Sequence, residues 1–364
     1  MSNALIHRSE NQNIVSNSEK VRISLKRAFK FLQESQGHGG MWSDFLTLAG
    51  ESVFWVSGYV GYAISCDEKT KRSPWLNRVG ATLISNQDEK GGWGYCPGVP
   101  PDADSTSWCV RFLSRIEMLS PEISSKAIGS LLNHQNADGG FRTYENPDRV
   151  GRFMGVNKSV TFEGWCDSQV CVTAAATQTL FENKVFSAAK KGLHFIENNQ
   201  NEEGFWEPYW WNERLYATYH CIEALRTTYG DNSEPINRSQ NWIARNQHLD
   251  GSWGDHSMNE GVPFSTALAL RGLKVGQNGQ FSEIIENGIE WLLTHQREDG
   301  SWGPDYILRI PHPAVTKPWI QANWIRDGKA INAVIKDQKH LFSTATVFSA
   351  LHEYTKAHSR GKSN

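Results

Sequence analysis

The sequence lacks several features that would at once assign it to a class of protein. It contains no apolar run of about 18 residues, the length that a membrane-spanning helix needs, and residues 1–20 contain no apolar signal-peptide core. The charges of the 37 basic and 39 acidic residues nearly cancel. The sequence also lacks the basic cluster interleaved with aromatic residues that is typical of nucleic-acid-binding proteins. We therefore expect a soluble, cytoplasmic protein without a nucleic-acid partner or a transmembrane segment.

Cysteine is also sparse. The six cysteines in 364 residues include no C-x-x-C pair and fall far below the density of a disulfide scaffold. We expect reduced and mostly buried thiols.

What the sequence does contain is an internal repeat. The pattern Q-x-x-x-G-x-(W/F) occurs six times, beginning at Gln36, Gln87, Gln135, Gln200, Gln247 and Gln296, with spacings of 51, 48, 65, 47 and 49 residues. Each copy follows a segment with helical periodicity and precedes a more apolar helix that carries a Ser or Thr near its start. Because a fixed period of this length indicates an array of one structural unit, each repeat is predicted to be an outer helix, a Gln/Gly/Trp turn and an inner helix.

Such hairpins could stack into an open solenoid or close into a ring of inner helices within outer ones. Closure is favoured because the first and last copies keep the full motif instead of forming polar caps. The predicted fold is all-α, a single (α/α)6 toroid over residues 21–356, with flexible tails at 1–20 and 357–364. The motif Gln and Trp are predicted to be structural, the amide satisfying backbone groups at helix ends and the indole packing between hairpins.

The aligned Ser and Thr residues allow the repeats to be compared with one another. Two positions before them stand Trp55, Asp104, Cys171, Tyr216, Phe264 and Phe342. In a closed ring these side chains are predicted to face one another near the N-terminal ends of the inner helices. Asp104 is then a lone acid in a largely aromatic layer.

Asp104 lies in the stretch PPDADSTSW, residues 100–108, for which two interpretations stay open. One is an ordinary helix N-cap, with Asp102 as a second, solvated cap. The other is an acid whose burial raises its pKa, so that it keeps a proton at neutral pH. Aromatic faces stabilise a desolvated cation by about 0.5–2 kcal/mol each, so this second arrangement suits carbocation chemistry.

The six repeats resemble the QW motifs of squalene-hopene cyclases and oxidosqualene cyclases, which belong to the terpenoid cyclase and protein prenyltransferase superfamily of α/α toroids. The resemblance covers about residues 20–355. Within it, GGWGYCPGVPPDADSTSW is similar to the segment that carries the D-x-D-D-T-A acid motif of class II cyclases. Asp104 then corresponds to the proton-donating middle aspartate and Asp102 to the first. Ser105 replaces the third, which makes the motif more similar to the D-x-D-T-T variant of bacterial drimenyl-diphosphate-type cyclases.

This resemblance implies a class II terpene cyclase-like enzyme of the isomerase or lyase class. A single toroid implies a C15–C20 isoprenoid, with or without a diphosphate, whose cyclisation begins with protonation. Asp104 is the implied general acid, and Asp102 and Ser105 tune or orient it. The residues expected to line the substrate site are Trp55, Trp108, Trp165, Cys171, Tyr209, Trp210, Tyr216, Phe264 and Phe342. No cofactor is expected, apart from Mg²⁺ if the substrate carries a diphosphate.

Two alternatives remain open at this point. One is a non-catalytic toroid that binds an isoprenoid, a peptide or a protein partner in the same chamber. The other is a prenyltransferase-type subunit with a zinc site. The D-x-C pair of that branch is missing, and the spacing of Cys171 from His340 or His256 does not match a zinc site of that branch. No metal site is therefore predicted.

Two repeats carry long insertions between the motif aromatic and the aligned Thr, from Phe141 to Thr173 and from Trp302 to Thr344. Loops of this length commonly cover a pocket, so both are predicted to be lids. Their cations could hold a diphosphate or could be solvated surface charge; they include Arg142, Arg149, Arg152, Lys158, Arg309, Lys317, Arg326 and Lys329.

Overall fold

Helices make up most of the computed structural model, which describes residues 17–156, 159–255, 260–273 and 279–360. In chain order they are α1 (Asn17–Glu34), α2 (Phe54–Ile64), α3 (Glu68–Lys71), α4 (Pro74–Ser85), α5 (Ala103–Arg115), α6 (Pro121–Leu132), α7 (Pro147–Met154), α8 (Glu163–Cys166), α9 (Val170–Glu182), α10 (Phe186–Asn198), α11 (Arg214–Tyr229), α12 (Glu234–Arg245), α13 (Pro263–Leu273), α14 (Ser282–Thr294) and α15 (Leu341–Arg360). The short strands are β1 (Asp44–Thr47), β2 (Gly50–Ser52), β3 (Gly254–Asp255), β4 (Glu260–Gly261), β5 (Tyr306–Ile310), β6 (Ile325–Arg326) and β7 (Ala333–Lys336).

The inner helices form a closed ring. Helices α2, α5, α9, α11, α13 and α15 each pack against the next, and α15 packs against α2. They are buried nearly all round, since every residue of α2 except Tyr62 is buried. Helices α1, α4, α6, α10, α12 and α14 surround this ring, each with one buried face. The predicted helical toroid is therefore confirmed. No helix in the described part of the chain has both the length and the apolar character needed to cross a bilayer.

The Gln of each motif fastens its turn and ties it to the next repeat. Each side-chain amide donates a hydrogen bond to the carbonyl of the motif glycine four residues on, at 2.5–3.0 Å. From the second repeat onward, the amide also donates to a carbonyl of the following outer helix at 2.8–3.2 Å; the acceptors are Ile123, Ala188, Pro235, Ile284 and Ser24. The structural role predicted for the motif glutamines is confirmed.

The motif tryptophans join the outer and inner helices of one repeat. Each indole N–H donates to a carbonyl near the end of the preceding outer helix, as Trp93 does to Leu83 at 2.8 Å. Each backbone N–H donates to the aligned Ser or Thr hydroxyl of the inner helix, as Trp93 does to Thr106 at 3.0 Å. The aligned hydroxyls are therefore part of the turn, which explains their recurrence.

The ring closes between the last repeat and the first. The Gln296 amide donates to the Ser24 carbonyl of α1 at 3.0 Å. Asp44 in β1 accepts hydrogen bonds from the backbone N–H groups of Lys339 and Leu341, just before and at the start of α15, each at 3.1 Å. The side chains of Gln296 and Asp44 thus fix the two ends of the array together.

Both terminal helices extend into the segments predicted to be tails. Helix α1 begins at Asn17 and α15 ends at Arg360, whereas the predicted toroid runs from 21 to 356. Both ends dock on Glu286 of α14, which accepts hydrogen bonds from the Asn17 side chain at 3.4 Å and the Tyr354 hydroxyl at 2.8 Å. The rest of the predicted tails, residues 1–16 and 361–364, lies outside the described residues.

The two long insertions carry most of the irregular structure. The first contains α7 and α8, and the second forms a sheet in which β7 pairs antiparallel with β5 and parallel with β6. Val150, Phe153 and Met154 of α7 and Leu308 and Ile310 of β5 line one cavity. Both insertions therefore contribute to the wall of the same cavity.

Glycine is required in the motif turn by two constraints at once. Gly91 has a φ of 96°, and a Cβ atom built on it would lie 2.2 Å from the carbonyl oxygen of Lys126 in α6. Gly98 also has a positive φ, of 86°, but nothing lies within 4 Å of its Cβ position. Gly98 therefore shows the effect of positive φ alone, whereas Gly91 combines positive φ with close packing against α6.

We predict that Gly91→Ala lowers the free energy of unfolding more than Gly98→Ala does. Both substitutions place a side chain at positive φ, which costs about 1–3 kcal/mol, and only Gly91→Ala adds a clash with a neighbouring helix, worth about 1–3 kcal/mol more. Urea unfolding followed by circular dichroism measures both losses. Equal losses would contradict the proposed contact between the turn and α6.

Candidate active site

A cavity of about 570 Å³ lies beneath the two insertions, near the N-terminal ends of α2 and α5. This volume is typical of small-molecule pockets, which span about 300–1,000 Å³. Its walls are mainly apolar and aromatic, and the aromatic residues are Trp55, Tyr95, Tyr144, Phe153, Trp165, Trp210 and Trp211. Asp102 and Asp104 also reach the cavity wall. The site is an apolar chamber with acids on one side.

Asp102 is the N-cap residue of α5. Its carboxyl group accepts hydrogen bonds from both the backbone N–H and the hydroxyl of Ser105, each at 2.7 Å. Its side chain is only 4% exposed, so the expectation of a solvated cap at Asp102 is wrong. Burial raises the pKa of Asp102 to about 7, against the lowering effect of the bonds from Ser105. The cap interpretation of PPDADSTSW therefore applies to Asp102.

Asp104 occupies the first turn of α5 and does not cap it. The protein encloses its side chain deeply, but part of its surface remains accessible, and Asp104 lines the cavity. Burial raises the pKa of the Asp104 carboxyl well above its usual range, and the neighbouring Asp102 raises it further. An acid held protonated beside an apolar chamber can donate its proton to a molecule bound there.

Two indoles stand beside this acid. The N–H groups of Trp55 and Trp108 partly offset the rise in the pKa of Asp104. Neither N–H group forms a hydrogen bond of good geometry, and the Oδ1 atom of Asp104 has no hydrogen-bond partner among the described residues. Because the N-terminus of a helix favours negative charge, the first turn of α5 also stabilises the carboxylate that remains after proton transfer.

The predicted lining residues divide into those at the cavity and those behind it. Trp55, Trp165 and Trp210 line it, whereas Trp108, Cys171 and Tyr209 do not belong to the lining and are buried in the surrounding core. The Tyr209 hydroxyl donates to the Val315 carbonyl at 2.7 Å and so holds the second insertion. The Trp165 indole donates to Pro311 at 3.2 Å and the Trp210 indole to Thr143 at 2.7 Å, which orients both rings.

The aligned aromatic residues meet around the ring axis, but the centre of their layer is filled. Phe342 lies 4.8 Å from Trp55 and 5.8 Å from Phe264, measured between ring centroids. Trp211 stands among them and stacks on Tyr216 at 3.7 Å. Tyr216, Phe264 and Phe342 therefore pack on Trp211 and are not part of the cavity lining.

Sequence reasoning missed Trp211. A signal was present, because Tyr209, Trp210 and Trp211 form an aromatic run just before α11. Only the first two members of this run were assigned to the site.

The charged residues of the insertions have different surroundings. Lys329 is the one cation among the described residues that line the cavity, and it is exposed. Arg149 pairs with Asp88 at 2.8 Å, and Arg309 donates to the Tyr209 carbonyl at 3.1 Å. Lys158 lies outside the described residues.

Among the described residues, no three His, Cys, Asp or Glu side chains are grouped so as to hold a metal ion. His340 contacts the Ser301 hydroxyl at 3.3 Å, and His256 lies outside the described residues.

The helical toroid with an acid beside an aromatic cavity defines a protein of the terpenoid cyclase class. Residues 98–313 match the squalene-hopene cyclase C-terminal domain, and the chain belongs to that family.

Solved structures resemble the chain over nearly its whole length. The type II terpene cyclase MstE from Scytonema, in complex with its substrate geranylgeranyl dihydroxybenzoate, is 26% identical with a TM-score of 0.86, over 94% of this chain and 99% of that one. A protein from Actinoplanes is 30% identical with a TM-score of 0.84, over 92% and 99% of the two chains. Drimenyl diphosphate synthase from Streptantibioticus cattleyicolor is 28% identical over 205 residues, which are 52% of this chain and 34% of that protein. The match thus spans about a third of that curated relative.

We predict that Asp102→Asn changes how stability depends on pH. The pKa of Asp102 rises from 3.8 to about 7 on folding, so the folded protein binds more protons between these values and its free energy of unfolding falls as the pH rises through them. Removing this carboxyl group should therefore reduce the decrease in the free energy of unfolding with rising pH by up to about 1.4 kcal/mol per pH unit. Urea unfolding at about pH 4.5, 5.5 and 6.5 measures the slope.

Asp67 provides the matched control. It caps α3, and the backbone N–H of Thr70 leads the interactions that lower its pKa. Asp67→Asn should therefore leave the slope between pH 4.5 and 6.5 unchanged. An equal change of slope in both variants, or none in Asp102→Asn, would refute the assignment.

Proposed function

We propose that the protein is a class II terpene cyclase, of the isomerase or lyase class, that starts cyclisation of a C15–C20 isoprenoid by protonating its terminal double bond. The observation that carries this proposal is Asp104, an enclosed carboxyl group with a raised pKa at the wall of an aromatic cavity. Its O–H bond breaks as a C–H bond forms at the CH carbon of the terminal double bond, and the positive charge appears on the dimethyl-substituted carbon beside it, where it is tertiary. Further ring closures move that charge along the chain until loss of a proton from the final cation gives the neutral cyclic product, and a proton from solvent then restores Asp104.

The cavity walls support the cation. The rings of Trp55, Trp165, Trp210 and Trp211 all line the chamber, and an aromatic face stabilises a desolvated cation by about 0.5–2 kcal/mol. Apolar neighbours also keep water from trapping the cation before the rings have closed. The same aromatic enclosure that keeps Asp104 protonated thus protects the product of its proton transfer.

Asp102 and Ser105 act as positioning residues. Asp102 fixes the first turn of α5 through its two hydrogen bonds from Ser105, and so fixes the direction of Asp104. Its proximity also raises the pKa of Asp104. A carboxyl group in this place therefore helps the acid to hold its proton until a substrate is bound.

The substrate assignment draws on the cavity and on the relatives. MstE binds a geranylgeranyl compound, which supports a C20 chain, and drimenyl diphosphate synthase carries a diphosphate in the name of its product. We propose that the isoprenoid end reaches Asp104 and that the head group lies near Lys329. No resident cofactor takes part in protonation, and Mg²⁺ would enter only with a diphosphate. A cytoplasmic location is part of the same proposal.

We predict that Asp104→Asn reduces cyclisation by about 10²–10⁴-fold, the usual contribution of a general acid, because an amide cannot donate the initiating proton. The matched control is Asp305→Asn, which removes another half-buried carboxyl group with a raised pKa that is not part of the cavity lining. Mass spectrometry of products from farnesyl diphosphate, geranylgeranyl diphosphate and geranylgeranyl dihydroxybenzoate measures turnover. Thermal unfolding shows whether each variant is folded.

A folded Asp104→Asn variant with unchanged turnover would exclude this acid. If the wild type turns over no isoprenoid, the non-catalytic binding toroid becomes the better description.

We predict that Lys329→Met raises KM for an anionic substrate by about two- to fivefold while kcat stays nearly constant, because an exposed ion contact is worth about 0.2–1 kcal/mol and acts on binding alone. Lys317→Met is the control, since Lys317 is exposed and is not part of the cavity lining. Steady-state kinetics with geranylgeranyl diphosphate and geranylgeranyl dihydroxybenzoate gives both constants. An equal effect of the two substitutions would remove Lys329 from the head-group site.

A further inference from the structure

Trp211 occupies the centre of the ring of inner helices, although it does not belong to any of them. Its indole stacks on Tyr216 of α11 at 3.7 Å and on Phe264 of α13 at 5.2 Å. It also lies 5.4 Å from Phe342 of α15 and 5.8 Å from Trp55 of α2. Side chains from four inner helices thus surround one indole, which is only 1% exposed.

The same indole forms part of the cavity wall, together with Trp55 and Asp104. Tyr216, Phe264 and Phe342 contact Trp211 but do not belong to the lining. The cavity therefore stops at Trp211 and does not continue along the axis of the ring.

The backbone that carries Trp211 is held independently of its side chain. Trp211 forms a bridge with Leu308 of β5. On either side, the Arg309 N–H donates to the Trp210 carbonyl at 2.7 Å and the Asn212 N–H donates to the Ile307 carbonyl at 2.9 Å. Since these contacts involve only backbone atoms, a smaller side chain at position 211 leaves them in place.

We propose that Trp211 sets the upper limit on isoprenoid length by closing the axial end of the cavity. This inference rests on the proposed function, since it concerns the chain that Asp104 protonates. Replacing the side chain of Trp211 by that of leucine removes six non-hydrogen atoms, about the number in the five-carbon isoprene unit. A smaller residue at position 211 therefore opens room for one more unit among the rings of Tyr216, Phe264 and Phe342, which offer the same apolar faces as the existing walls.

The test compares Trp211→Leu and Trp211→Phe with the wild type. Each protein receives an equimolar mixture of farnesyl, geranylgeranyl and geranylfarnesyl dihydroxybenzoates, and in a second series the three matching diphosphates. Mass spectrometry of the products gives the ratios of kcat/KM between chain lengths. Because a pocket discriminates one methylene by about 10-fold or more, Trp211→Leu should shift the ratio toward the longer chain by at least about tenfold. Trp211→Phe, which retains a ring and is the safer variant for folding, should give a smaller shift in the same direction.

Trp165→Leu is the matched control. It also removes an indole from the cavity wall. Trp165, however, packs on Tyr144 and Trp210 and not on the aromatic residues that surround Trp211. It should not favour the longer chain, even if it lowers the rate. An equal shift in Trp165→Leu, or a folded Trp211→Leu with wild-type length preference, would overturn the proposal.

Failure of the proposed function gives a different result. If the wild type turns over none of these compounds, that function fails, and calorimetric binding of the same dihydroxybenzoates tests Trp211 by itself. If Trp211→Leu binds the longest compound more tightly than the wild type does, the result supports Trp211 as the limit on chain length. If the affinities for the three chain lengths keep the same ratios in both proteins, the proposal is overturned.

Discussion

The close contact between the motif glycine and a neighbouring outer helix, which occurs in five of the six repeats, is the constraint on which the rest of the structure depends. At Gly91, Gly139, Gly204, Gly251 and Gly300, a Cβ atom would lie 2.2–2.7 Å from a backbone oxygen of the neighbouring helix. The motif glutamine makes its hydrogen bonds across the same contact. Because the turn touches both its own repeat and the next, it sets the distance between hairpins and so the curvature of the array. The hydrogen bond from Gln296 to Ser24 makes the same kind of contact between the last repeat and the first, where the ring closes.

The chemistry of the site follows from this geometry. A closed ring places the N-terminal ends of the inner helices in one layer, so a residue near the start of α5 is enclosed by residues of the other helices. A carboxyl group there loses solvent, and its pKa rises for that reason above all. The insertions then cover the layer and leave a chamber at one side of the axis. The acid and its apolar surroundings are therefore two results of one arrangement.

Much of this could be predicted from the sequence because the repeats carry it locally. The motif spacing predicts the hairpins, and the comparison of aligned positions identifies Asp104 among aromatic residues. The division of roles between Asp102 and Asp104 could not be read in this way, since it depends on which carboxyl meets the Ser105 N–H in the folded turn. The burial of Asp102 depends on neighbours from other repeats.

The position of Trp211 in the fold could not be predicted from the sequence either. It is fixed by pairing with Leu308, 97 positions later in the numbering, and no local pattern reports such a contact. Its presence moves the cavity from the axis to the side beneath the insertions, which is why Tyr216, Phe264 and Phe342 are not part of the lining. Repeated features were thus predictable, while features built from single loops were not.

The central claim is that Asp104 is protonated at neutral pH and so can act as an acid. Infrared difference spectroscopy between the wild type and Asp104→Asn at pH 7 measures this state directly, because a protonated carboxyl and a carboxylate absorb in different regions. We predict that the wild type shows a carboxylic acid C=O band that the variant lacks. A carboxylate signal from Asp104 at pH 7 would contradict the account.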